Sequence, residues 1–427
     1  MPSLVVDTTP LRVSPAFRRL WWGLSISNLG AQLTVVAVGL QVYALTGSTA
    51  SVGILGLCAL VPLVFFGLYG GAISDHYDRR TVALVASVVT WVVTLGLAAQ
   101  AWLGNTQVWV LFALVAVQSG AFAVGSPARS AIIPRLLDPK LMPAANALQT
   151  LGFSVAFTVG PLLGAFLVAA FDYAVAYTVD AVLFTAALFA VFQLPAQPPL
   201  PSETRRGRAG FASVVDGFRY LGTQKNVRMT FAVDLVAMIT SSPRVLFPAV
   251  GLVYLGGGAT TTGVMAAAAA VGVGLAGLFS GGLTRIRWQG RIIAVAITVW
   301  GLAIAGFGLV LVLAGQGHPD QVLWLALAIA VLMLVVAGAA DAISSVFRQT
   351  ILQTATPDDM RGRLQGVFIV VVAGGPRLGE ALLGGAAEKV GEGWAAVVGG
   401  CLCVVLLWVL VRTQRSFWDY DARHPVP

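Results

Sequence analysis

The chain has 427 residues, of which 58% are hydrophobic and only 10% charged, where an ordinary globular chain is about 25% charged. A membrane-spanning helix takes about 20 apolar residues, so twelve would take about 240, close to the hydrophobic share here. That excludes a string of soluble domains and indicates a multi-pass, all-α membrane protein in contact with the lipid bilayer. A net charge of +8 raises the question of nucleic acid, which the placement of the charges answers.

In chain order, apolar runs fall at about 20–43, 52–73, 82–103, 108–124, 144–170 and 173–194. A second set covers 229–254, 263–283, 292–314, 322–346, 364–388 and 394–411. They are numbered here as helices 1 to 12. The first follows Arg18 and Arg19 without a small-residue cleavage site, which reads as a retained helix rather than a signal peptide. Of 26 basic residues, 23 fall before helix 1, after helix 12 or in the links that lie on the same side as these ends. The positive-inside rule makes that side the cytoplasm and places both termini there, in an inner or plasma membrane. The basic excess is therefore topological, and no nucleic-acid partner is implied.

Residues 195–228 open Pro- and Arg-rich (PAQPPLPSETRRGR) and continue as FASVVDGFRYL. There Phe211, Val214, Val215, Phe218 and Leu221 recur at helical spacing, as in a short helix lying on the membrane surface. This link joins a six-helix bundle at 1–194 to a second at 229–427. The two halves resemble each other. Pro139 and Met142 after helix 4 match Pro357 and Met360 after helix 10, and Gly160-Pro161 with Gly164 matches Gly375-Pro376 with Gly379. GGAISDHYDRR after helix 2 has a worn copy, GGLTRIRWQGR, after helix 8, whose turn carries Arg285 and no acidic residue. Similarities in one order at a near-constant offset argue for a duplicated unit, an architecture of transporters that bind substrate near the midplane.

The most specific motif is the turn after helix 2. Gly67, Gly70, Gly71 and Ser74 let that helix approach a neighbour closely, and Asp75 is then set to cap a helix or pair with Arg79, with Arg80 following. Such a latch serves as a gate. The pattern resembles the helix 2–3 signature of the major facilitator superfamily, with His76 and Asp78 in place of its commoner Arg and Gly. In helix 5, Gly152, Ala156, Gly160, Pro161, Gly164 and Ala165 make a close-packing, kinked face. It resembles the superfamily's antiporter signature and favours export. RLWWGLSISNLGAQLTVVAVGLQVYALTGS, AANALQTLGFSVAFTVGPLLGAFL, GFRYL and SSPRVLFPAV together resemble the enterobactin-exporter and macrolide-efflux branch. GGPRLGEALLGG in helix 11 departs from that pattern. The resemblance implies a proton-coupled siderophore exporter that works as a monomer by alternating access, with a macrolide or multidrug antiporter as the alternative.

Charges inside a bilayer are costly and mark functional positions. Arg244 falls near the middle of helix 7 and Arg377 near the middle of helix 11, with Glu380 one turn on. Two midplane arginines suit an anionic, amphipathic or catecholate small molecule through charge-assisted hydrogen bonds; an internal Arg377–Glu380 ion pair is the competing account. Asp341, Ser344, Ser345 and Arg348 form a polar stripe on helix 10, and Asp234 lies a turn inside helix 7. Asp341 and Glu380, then Asp234, are the candidates for carrying the coupled proton, since burial disfavours a carboxylate's charged form. Asp180 in helix 6 reads as structural.

No GxxxxGK[ST], HExxH or GxSxG occurs, so an ATP-driven pump within this chain and a hydrolytic enzyme are both disfavoured. Cys58, Cys401 and Cys403 lie in apolar runs and His76, His318 and His424 in loops or tails, so neither metal nor cofactor is implied. A lysophospholipid transporter and a non-transporting receptor or scaffold remain as minor readings.

Overall fold

The computed structural model describes residues 7–198, 211–278, 286–356 and 358–423. Twelve long helices dominate: α1 (Pro15–Thr46), α2 (Thr49–His76), α3 (Arg79–Trp102), α4 (Val108–Leu136), α5 (Met142–Ala170), α6 (Tyr173–Phe192), α7 (Lys225–Ser241), α8 (Gly258–Leu278), α9 (Gln289–Ala314), α10 (Trp324–Thr354), α11 (Asp358–Val390) and α12 (Glu392–Thr413). The described residues hold no strand, only a single bridge between Trp288 and Asp421. In lipid every backbone N–H and C=O must find a partner within the protein, and an apolar run satisfies that only as a helix. Eleven of the described helical segments are long and apolar enough to cross a membrane. The remaining long helix is α11, which carries Arg377 and Glu380. The fold is all-α and multi-pass. The link carries a short helix, Phe211–Thr223, with Leu221 buried and Phe218 exposed. Arg285, expected in the second copy of the charged turn, lies outside the described residues.

The chain forms two compact units. Unit 1 takes the described residues of Met1–Gln41 and Cys58–Gly210, and unit 2 those of Val42–Leu57 and Phe211–Pro427. The turn between α1 and α2 thus belongs with unit 2.

Because lipid tails are as apolar as leucine, helices in a bilayer are held together by close packing of small residues more than by apolar burial. Both units show this. In unit 1 the helix-5 face meets α1: a Cβ on Gly160 would stand 2.6 Å from Gln32 Cβ, and one on Gly164 would stand 2.7 Å from the Leu33 carbonyl oxygen. In unit 2, Gly379 seats α11 on the α7 backbone at Met238 and Ile239, while Gly301, Gly308, Gly393 and Gly400 bring α9 and α12 together. At its arginine-rich end unit 1 closes on Phe17, Leu20, Ile132, Ile133, Leu148 and Val191. In unit 2, Arg287–Asp421 at 2.7 Å and Arg291–Asp419 at 2.9 Å tie the start of α9 to the residues after α12.

Candidate functional site

Helix 7 is not the continuous span expected from its apolar run. After α7 ends at Ser241, Ser242 is extended, Pro243–Leu246 forms a 3-10 turn, Phe247–Ala249 a single α turn and Val250–Tyr254 a π turn. Proline explains the break. It lacks an N–H and bars its predecessor from the α region, so the helix stops before Pro243, and Pro248 prevents a regular restart. Arg244 sits in this break, one residue past the proline. It is exposed although it lies within a spanning segment, and it is within electrostatic reach of Glu380, Arg377 and Asp341. The sequence placed no counter-charge near it along helix 7; the structure supplies them from α10 and α11.

Two ion-paired groups flank this position. On α10, Arg348 pairs with Asp234 of α7 and reaches Asp341 Oδ1 at 3.3 Å. Its side chain is 11% exposed and that of Asp234 8%. Ser344 between them is fully buried. On α11, Arg377 Nη1 lies 3.3 Å from Glu380 Oε2 across one helical turn. The buried Glu380 is also lodged against α2, where Gly53 and Gly56 leave room for it: a Cβ on Gly56 would sit 3.0 Å from Glu380 Oε2. Three guanidiniums and three carboxylates therefore share one region of unit 2. With all of them ionised the set is neutral, so a ligand can enter only by exchanging partners with charges already present.

The residues of the charged turn belong to unit 1. The helix runs through Gly71 and Asp75, whose side chains are outside the described set. The neighbouring Asp78 is the residue that caps α3, accepting from the Thr81 amide at 2.8 Å and from the Gln197 amide at 2.6 Å. Burial pushes the Asp78 carboxyl up, but those two amides, the Thr81 hydroxyl and Arg80 together hold it below the usual carboxylate value. Arg80 donates to the Phe192 carbonyl at 2.6 Å and lies over the Phe192 ring, and the buried Arg79 donates to the Ala131 carbonyl at 3.4 Å. The two arginines thus tie α3 to α4 and α6.

Two further features escaped the sequence. A cavity of about 330 Å³ in unit 1 is lined by Phe17, Trp21, Asn28, Gln149, Thr150 and Phe153, among others, mixing aromatic faces with amide and hydroxyl groups as small-molecule pockets do. At the other end of α1, Thr49 Oγ1 donates to Glu392 at 2.6 Å and Ser48 Oγ to Glu388 at 2.8 Å, while Tyr254 also donates to Glu392. The i,i+4 spacing of Glu388 and Glu392 is visible in the sequence, but their hydroxyl partners lie far off along the chain, 138 positions for Tyr254 and more than 300 for Ser48 and Thr49.

The transmembrane secretion effector family model matches residues 6–426. The enterobactin exporter EntS of Citrobacter koseri is 30% identical over 97% of both chains. That of Salmonella typhimurium is 28% identical over the same shares. Among solved structures, the nucleoside transporter NupG superposes with a TM-score of 0.70 at 15% identity, over 95% of this chain and 99% of that one. A POT family transporter in complex with 5-aminolevulinic acid gives 0.74 at 12% identity, over 95% and 97%. At such identities these two speak for the fold alone, and that fold is the transporter fold the duplicated halves implied. The chain belongs to the transmembrane secretion effector family of the major facilitator superfamily and is a multi-pass efflux transporter of small molecules.

Proposed function

We propose that this transporter exports a catecholate siderophore of the enterobactin kind in exchange for protons, by alternating access and as a monomer. It lies in the inner or plasma membrane with both termini cytoplasmic, the side to which 23 of its 26 basic residues fall. The observation that carries the substrate reading is the neutral set of six charges around the α7 break. A catechol presents hydroxyl donors beside oxygen acceptors. Arg244 and Arg377 can serve the acceptors while Glu380 or Asp341 takes the donors, so every polar group at the site remains satisfied. The names of the EntS relatives support the same substrate class.

The test is export from proteoliposomes with enterobactin, a macrolide and a lysophospholipid in parallel. Enterobactin is expected to be transported best. Arg244→Lys, which keeps the charge and loses the planar five-donor fork, is expected to weaken enterobactin binding by roughly tenfold, about one hydrogen bond to a charged group. Equal losses for enterobactin and a neutral macrolide would assign Arg244 to structure. A macrolide preferred by the unaltered chain would favour the multidrug reading, for which the aromatic and amide lining of the unit 1 cavity is the supporting feature.

The charged turn is proposed as the cytoplasmic gate, with Asp75, Arg79 and Arg80 as its charges and the Gly71 and Gly160-Pro161-Gly164 faces as the surfaces that slide. Asp75→Asn is expected to insert and fold normally but to lose most transport, with fluorescent conformational probes reporting a shifted inward/outward balance. Normal efflux by that variant removes Asp75 from the gate.

A further inference from the structure

Asp180 is a membrane-embedded carboxyl that the cluster in unit 2 does not use. It lies on α6 in unit 1 at 1% exposure. Thr34 on α1 donates its hydroxyl to Oδ2 at 2.5 Å. The other oxygen, Oδ1, is buried and without a hydrogen-bond partner among the described residues. It points at Gly30 of α1, so closely that any Cβ there would strike it. The neighbouring polar groups among the described residues are uncharged and otherwise engaged. Tyr177, one turn back on α6, donates to Gln41 at 2.7 Å, Gln41 is paired with Gln100 of α3, and the Trp91 indole of α3 donates to the Ala181 carbonyl at 3.2 Å. Among the described residues, Thr34 is the one side chain that acts on the carboxyl.

An ionised carboxylate offers about four acceptor sites and, taken out of water, needs either a cation or several donors. Here it has one hydroxyl. A carboxylic acid, by contrast, is a neutral group that fits a site with one polar neighbour. Ionising it would require water between α1 and α6, which the Gly30 contact shuts out. Loss of the proton is therefore tied to a parting of those two helices.

We propose that Asp180 and Thr34 form a proton-binding site in unit 1, which holds its proton in this conformation and exchanges it when α1 draws away from α6. Its link to transport rests on the proton-exchange reading above; its existence does not. The first measurement is infrared difference spectroscopy of the purified full-length protein at neutral pH. A carboxylic-acid C=O stretch is expected that is missing from Asp180→Asn and displaced in Thr34→Val, which lacks the donor. Asp180→Asn is close in shape and neutral, so it is expected to keep the thermal stability of the unaltered chain. If the spectra of the two proteins superimpose in that region, Asp180 is ionised and the proposal fails. The second measurement is export under an inward proton gradient, where Asp180→Asn is expected to bind substrate but lose the response to the gradient. A full response in that variant, beside a responsive unaltered chain, overturns the exchange step. Export by the unaltered chain that ignores the gradient sinks the proton-exchange reading instead, and the infrared band then decides the site by itself.

Discussion

Arg348→Met is expected to destabilise unit 2 more than any other single change in the charged cluster and to abolish transport. Arg348 stands between two carboxylates, Asp234 on α7 and Asp341 on its own helix. Removing it leaves the buried Asp234 without its ion-pair partner and facing Asp341, and breaking one side of a buried ion pair costs about 3–5 kcal/mol. Replacing both partners of such a pair with apolar groups is often neutral, because the desolvation of two charges disappears along with their attraction. Arg348→Met with Asp234→Leu is thus expected to recover most of the thermal stability lost by the single variant, as read by unfolding in detergent. It should not recover transport, which needs charges able to change partners. A single variant as stable as the unaltered chain would mean that Arg348 is not what compensates Asp234.

The Arg348–Asp234 pair also shows where sequence reading stops. The length of the apolar runs locates the spanning helices, since an apolar stretch of the right length has no other stable form in lipid. The small-residue face of helix 5 is legible too, because small residues at every fourth position have one cheap explanation, close approach of a partner helix. Which helix is the partner is tertiary information: Gly160 and Gly164 meet α1, and Gly379 meets α7. The Arg377–Glu380 pair was local, three residues apart on one helix, and is found at 3.3 Å. Arg348 and Asp234 stand on different helices, and only the packing of α10 beside α7 reveals them as partners. The break in helix 7 was written in Pro243 and Pro248, but the hydropathy of the run concealed it. Asp180 reads as structural from the sequence because helix 6 in the superfamily that the chain resembles packs peripherally. The Thr34 hydroxyl and the Gly30 gap that give it meaning come from α1, far away in the chain.

Glu380→Gln is expected to make substrate affinity independent of pH and to abolish accumulation against a gradient. The sign follows from which ligand atoms meet the carboxylate. On the proposed reading a catechol hydroxyl donates to an ionised Glu380, so a proton on that oxygen and a bound catechol exclude each other. Binding and protonation are linked reciprocally: each weakens the other by the same factor. Affinity of the unaltered chain should then fall as the pH drops, by up to about tenfold per unit for one competing proton. That competition is what exchange requires, because a proton arriving from outside expels the substrate and the substrate arriving from inside expels the proton. A fully anionic ligand reverses the sign. It would compete with Glu380 for Arg377, bind best when Glu380 is protonated and carry the proton outward with it, against an inward gradient. The amide fixes the neutral form, so Glu380→Gln should bind a catechol as weakly as the acidified unaltered chain does, with no slope against pH. Asp341 is the other carboxylate that acts on Arg244, and Asp341→Asn is the matching control. If that variant loses the slope and Glu380→Gln keeps it, the exchanging proton resides on α10; if both keep it and both still concentrate substrate, neither carboxylate of this cluster carries the proton.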